Sequence, residues 1–134
     1  METKINKTFF APQLHIKSGV HNIDFYKNGL GAIELRRWSN DDDSVHVAEL
    51  SIDGALFHLH EENPQKGFFE PTRNNGVTAI IGIFVSDVDA MMSKAIKAGA
   101  TEMNPAKDYE YGYRQGELKD PFGHHWLIQQ EIKL

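Results

Sequence analysis

Cysteine is absent from the 134 residues. That excludes disulfides, thiolate nucleophiles and cysteine metal sites. No apolar run approaches the roughly 20 residues that a membrane-crossing helix needs, so a membrane is not an expected partner. A basic excess is also missing. Lys+Arg number 14 against 19 Asp+Glu, a net charge of -5, and an acidic chain is not built for a nucleic-acid partner. The polar start, Met1 to Lys7, leads into only a short apolar patch, not the apolar segment of a secretory signal, so a cytoplasmic location is the expectation. There is no Gly-rich phosphate loop, and Gly29-Leu30-Gly31 reads as a helix stop. The remainder is ordinary: 40% hydrophobic and 25% charged residues, the mix of a globular protein. The length suits a single domain over residues 1–134, or two small halves around one core.

Two helical patterns stand out. Val88, Met91, Met92, Ala95 and Ile96 put one apolar face on a helix over 87–98, with Asp87 as N-cap and Gly99 as stop. Val20 and Ile23 mark a weaker helix over 19–28, with Ser18 as cap and Gly29 or Gly31 after it. The rest alternates with period two. Strands are expected at 9–16, 32–38, 45–52, 55–61, 77–85, about 101–103, 113–119 and 124–131. The acidic run Asn40 to Ser44 reads as an exposed turn, and Glu61 to Gly76 as a connection between halves. Asp53-Gly54 between two alternating runs predicts a two-residue hairpin. Its register sets Glu49 opposite His58 and Val47 opposite His60. Ala48, Leu50, Ile52, Phe57 and Leu59 then share the core face, and Val47, Glu49, Ser51, Leu56, His58 and His60 line a concavity. The chain also repeats itself. Ile16-Lys17-Ser18, a helix and Gly31-Ala32 match Val85-Ser86-Asp87, a helix and Gly99-Ala100, at offsets of 69 and 68. Each half reads as strand, helix, three strands, and neither buries its sheet face alone.

Three segments carry a family resemblance: Leu14-His15-Ile16 with Ile23 to Lys27 and Leu30-Gly31-Ala32; Phe84 to Ala90 with Ala98-Gly99-Ala100; and Tyr111 to Arg114 with Lys119-Asp120-Pro121-Phe122-Gly123-His124 and Trp126. With the repeat they cover roughly residues 9–131. The sequence resembles the vicinal oxygen chelate superfamily of glyoxalase I, bleomycin-resistance proteins and extradiol dioxygenases, with its nearest likeness in the glyoxalase-related PhnB-like branch. The resemblance implies an α+β fold of two βαβββ modules, about 8–62 and 76–132, whose curved mixed sheets surround a cleft. It also implies a homodimer. By position, the family's divalent metal falls on Ala11, His58, Ile80 and Leu127, of which only His58 carries a donor. No tightly bound metal is therefore expected, since an ion needs three or four ligands.

His58, His60 and Glu49 on one strand face form a carboxylate–imidazole set suited to acid–base work or, less simply, to a displaced metal. Ligand contacts are expected from Gln13, His15, Leu56, His60, Ile80, Phe84, Arg114 and Leu127, with catalytic roles, if any, on His58 and Glu49. Arg114 suits a carboxylate or phosphate of a ligand, or a salt bridge. His125 is placed to reach the cleft near Leu127. Trp38, Phe68, Phe69, Tyr109, Tyr111 and Tyr113 are candidates to close over a planar ligand or to pack a subunit contact. The first expectation is a metal-free protein that binds a small molecule. The alternative is a lyase, isomerase or dioxygenase working through His58 with Glu49, and a third is an interaction protein with a decayed cleft.

Overall fold

The computed structural model describes residues 7–133. The polar segment read at residues 1–7 lies outside it up to residue 6. Eight strands and two helices form two consecutive βαβββ modules: β1 (Gln13–Ile16), α1 (Asp24–Leu30), β2 (Ile33–Ser39), β3 (Val45–Ile52) and β4 (Ala55–Glu61), then β5 (Ile80–Phe84), α2 (Val88–Lys97), β6 (Thr101–Tyr109), β7 (Tyr113–Lys119) and β8 (His125–Glu131). Each module makes one four-stranded mixed sheet, in the orders β1-β4-β3-β2 and β5-β8-β7-β6. In both, the first strand runs parallel to the last and the others pair antiparallel. This is the α+β two-module architecture expected from the repeat.

Local chemistry explains most boundaries. Asp53 and Gly54 both take positive φ, 51° and 87°, as a tight hairpin turn requires, and Glu49 pairs with His58 as the turn dictates. The Asp87 carboxylate accepts the Ala90 N–H and starts α2. The first helix differs from expectation. Ser18-Gly19 forms a turn and the Asn22 side chain accepts the Asp24 N–H, so α1 begins at Asp24 and runs on through Leu30 to a left-handed Gly31. Strand β6 runs to Tyr109, well past the expected 103; it is an edge strand, where Pro105 is tolerated despite its missing N–H. Pro12 holds β1 to a later start, and the connection between modules contains two short 3-10 turns, Pro64–Lys66 and Pro71–Asn74.

The buried faces of both sheets and the helices share one core. Tyr26 and Phe57 of the first module meet Phe122 and Trp126 of the second, with ring centroids 5.5–6.2 Å from Tyr26 and 5.6 Å between Phe57 and Trp126. The helices pack at Gly29, where a Cβ would come within 3.1 Å of the Ala98 Cβ. Sheet two approaches α2 at Gly116, where a Cβ would lie 2.9 Å from Met92 Cε. Gly116→Ala is expected to cost about 1–2 kcal/mol, because the flexible Met92 yields in part; chemical denaturation measures it. Since the helices cover one face of each sheet, the other face of each is left open.

Candidate functional site: two open sheet faces

The open face of the first sheet gathers most of the expected residues. Across it Gln13 pairs with His58 and His15 with His60 between β1 and β4, and Glu49 and Val47 pair with His58 and His60 between β3 and β4. The flanking Ala48, Leu50, Phe57 and Leu59 are buried in the core, so alternation places the histidines outward. The rings form a rail: His58 stacks on His60 at 5.8 Å, His60 is 6.0 Å from His15, and His15 stacks on Phe68 at 5.2 Å. Leu56 lies on the same face, beside Gly82 of the second sheet, in an apolar cavity of about 200 Å³. Gln13 and His15 line a second cavity of about 360 Å³ with Phe69, Asn74, Thr78 and His124, at the seam between β1 and β5.

Two features of this face matter chemically. Nε2 of His58 and Nε2 of His60 are buried without a hydrogen-bond partner. Glu49 Oε2 lies 3.4 Å from His58 Nε2, near enough for charge attraction but off the line of a hydrogen bond. Glu49 is instead claimed by Arg36, whose Nε donates to Oε1 at 2.5 Å. That bond, with the guanidinium charge and His58, holds the carboxyl below its ordinary range against partial desolvation. The sequence did not mark Arg36. A bulge at Leu35 shifts the β2–β3 register and brings Arg36 opposite Glu49.

His15 and His60 both titrate below the ordinary 6.5. Burial is the main cause. For His15, His124 adds to it and Glu62 opposes it; for His60, His15, His58 and His46 add to it. The unfolded chain therefore takes up these protons more readily than the folded one. Stability is fully present above about pH 6.5 and falls as the pH drops through that value toward the lower folded ones. The urea midpoint is expected to be lower at about pH 5.5 than at about pH 7.5, and the drop to be smaller in a His15→Asn, His60→Asn double variant. An equal drop in both would refute the assignment.

The second sheet carries the rest. Ile80, Phe84 and Leu127 share its open face, with Ile80 52% and Phe84 56% exposed. Phe84, Tyr113 and Tyr111 meet edge to face at 5.4 and 5.8 Å, and Tyr109 stacks on Tyr111. His125 reaches this face as expected. Its Nδ1 lies 3.4 Å from Glu117 Oε1, while Asn104 donates to Glu117 Oε2 at 3.1 Å. Glu117 was not singled out from the sequence, although the repeat offset of 68 carries Glu49 onto it. Arg114 does not join this group. It alternates onto the helix-covered side, where Asp89 and Asp108 take its guanidinium at 2.9 Å each. Of its two sequence readings, the salt bridge describes its surroundings. No hydrogen bond or ring contact joins the histidine rail to the Phe84 row among the described residues.

The family's metal does not fit these residues. Ala11, Ile80 and Leu127 offer no side-chain donor atom, and among the described residues no group of three or more His, Asp or Glu side chains is placed to share an ion.

The comparisons agree with the fold. The glyoxalase/bleomycin resistance protein/dioxygenase superfamily model matches residues 20–128. An uncharacterised protein of Mycobacterium bovis is 35% identical over 126 residues, which cover 92% of this chain and 83% of that one. The X-ray structure of an Arabidopsis thaliana gene product superposes with a TM-score of 0.68 at 26% identity, covering 92% of this chain and 98% of that chain. TioX from Micromonospora sp. ML1 superposes with a TM-score of 0.70 at 21% identity, covering 95% and 98%, a likeness of fold alone. With most of its length matched by that model, and with the paired βαβββ modules in place, the chain belongs to the glyoxalase/bleomycin resistance protein/dioxygenase superfamily, the vicinal oxygen chelate group.

Proposed function

We propose that the protein binds a small organic molecule, without a metal, in a cleft closed by two copies of the chain. The open face of the first sheet in one copy would lie against the open face of the second sheet in the other. The observation that carries this reading is the pair of unpartnered imidazole nitrogens on His58 and His60. A buried polar atom with no partner costs free energy, and a ligand that supplies one recovers it. Gln13, His15 and Phe68 add polar and ring contacts on that face; Ile80, Phe84 and Leu127 add apolar contacts from the other, the mixture typical of ligand sites. The PhnB-like likeness read from the sequence and a cytoplasmic setting belong to the same proposal.

The test is direct. Light scattering is expected to show twice 15.2 kDa, and native mass spectrometry of untagged protein a retained organic mass that is lost in a His58→Gln, His60→Gln double variant. A chelator should leave the melting temperature and the retained mass unchanged. Stoichiometric metal, stripped together with ligand, would move the reading to a metal enzyme. One observation favours a second reading, an acid–base lyase or isomerase: the 3.4 Å approach of Glu49 to His58. A retained molecule that fresh protein converts, and His58→Gln does not, would establish that instead.

A further inference from the structure

A directed chain of hydrogen bonds crosses the open face of the second sheet. The Tyr111 hydroxyl donates to Gln115 Oε1 at 2.5 Å, and Gln115 Nε2 donates to Gln129 Oε1 at 2.8 Å. Both amides are thereby turned the same way, and the chain ends on Gln129 Nε2. Gln129 is only 8% exposed, yet that nitrogen donates to nothing among the described residues. Unlike Nε2 of His58 and of His60, it is not sealed from outside. Hydrogen bonds in series polarise one another, so the last N–H is a strengthened donor. At the repeat offset of 69, Gln129 takes the place of His60, and Gly82 that of Gln13. A nitrogen without a partner thus stands at the same position of both sheets.

Gln129 Nε2 lies over Gly82, where a Cβ would come within 3.0 Å of it. Gly82 in turn forms part of the wall of the apolar cavity of about 200 Å³ at the seam of the modules. Leu56 and Phe57 line that cavity from the first module, and Ile81, Ile83 and Trp126 from the second. The Trp126 indole N–H is already given to Asp120, so the wall has no unspent polar side-chain group of its own. A cavity of about 150 Å³ lined by Leu, Ile and Phe holds benzene, so this one has room for a substituted ring. No Lys, Arg, Asp or Glu lines it. An ionised group entering it would lose hydration with no counter-charge in return.

We infer that the seam cavity takes the apolar ring of a neutral carbonyl compound, whose oxygen accepts the Gln129 Nε2–H beside Gly82. This rests on the reading that the open faces bind a small organic molecule, and it adds the class of that molecule. The cavity selects the ring, the absence of charge disfavours an ion, and the single open N–H selects an acceptor over a donor.

The test titrates the full chain with three probes of similar size, followed by NMR: acetophenone, α-methylstyrene, which carries CH2 in place of the oxygen, and 1-phenylethylamine, an ammonium that only donates. Acetophenone is expected to bind roughly fivefold more tightly than α-methylstyrene, and the amine least. Shifts should fall on the Leu56, Ile81 and Ile83 methyls and, with acetophenone alone, on the Gln129 side-chain amide. Gln129→Met should bring acetophenone down to the α-methylstyrene value. Gln129→Glu still accepts from Gln115 but ends the chain on an oxygen, so the amine should become the tightest of the three. Leu56→Trp should weaken acetophenone and α-methylstyrene alike. An unchanged amide spectrum shows that each variant is folded, and the two variants at Gln129 test the donor independently. Equal binding of acetophenone and α-methylstyrene, or a preference that survives Gln129→Met, overturns the inference. So does a dimer that retains a ligand yet binds no probe in this cavity, which leaves the earlier reading standing. A ligand-free monomer would sink that earlier reading, while an acetophenone preference that depends on Gln129 would still support this one.

Discussion

Asp120→Ala should leave the protein about 4 kcal/mol less stable, a large share of the roughly 5–15 kcal/mol that keeps a domain folded. The Asp120 carboxylate is 2% exposed and accepts four hydrogen bonds. The Tyr26 hydroxyl donates at 2.6 Å and the Trp126 indole at 2.9 Å, from opposite modules, to the same oxygen. The backbone N–H groups of Phe122 and His124 donate to the other. Alanine would strand two buried side-chain donors and loosen the turn that holds His124. His124 Nε2 bonds the His15 carbonyl at 2.8 Å, so the histidine rail should feel the change. Tyr26→Phe removes one donor and leaves the carboxylate three, so about 1–2 kcal/mol is expected. Urea denaturation measures both, and a loss below about 1 kcal/mol for Asp120→Ala would show that the link between modules is dispensable.

Phe84→Asp should convert a dimer into a folded monomer and abolish retention of any cleft ligand. Phe84 is more than half exposed in the single chain, so a carboxylate there meets water and stability should change by less than about 1 kcal/mol. In a closed cleft the same substitution removes roughly 2–3 kcal/mol of apolar burial and adds the cost of an unpaired buried charge, several kcal/mol more. Light scattering at micromolar concentration, with mass analysis of the bound fraction, reads both effects. A variant that stays dimeric with its ligand would place the subunit contact and the cleft elsewhere.

The hairpin and the two-fold repeat of modules were legible because their signals are local. Asp53-Gly54 admits one tight turn, and a period-two pattern then sets every partner from Val47–His60 to Ile52–Ala55. The same alternation foretold that His58, His60 and Glu49 share a face away from the core, and the Asp87 cap foretold α2. The first helix was displaced because Ser18, read as its cap, makes a turn with Gly19. Strand β6 was underestimated because an edge strand with a proline and two register breaks loses its alternation.

The residues of the sequence by themselves determined the family, the two-module order and the open-face histidines, since strand alternation and turn chemistry act over a few residues. Only the tertiary structure decided which charges were already spent. Arg114, open from the sequence to a ligand or to a salt bridge, is held by Asp89, 25 residues away, and by Asp108. Arg36 gave no signal, yet a bulge aims it at Glu49. Asp120, read only as part of a family turn, accepts a hydrogen bond from Tyr26 across 94 residues. Whether a charged side chain is free or paired depends on which distant strand or helix lies beside it. That is fixed by packing and register over the whole chain, not by the neighbours it has in sequence.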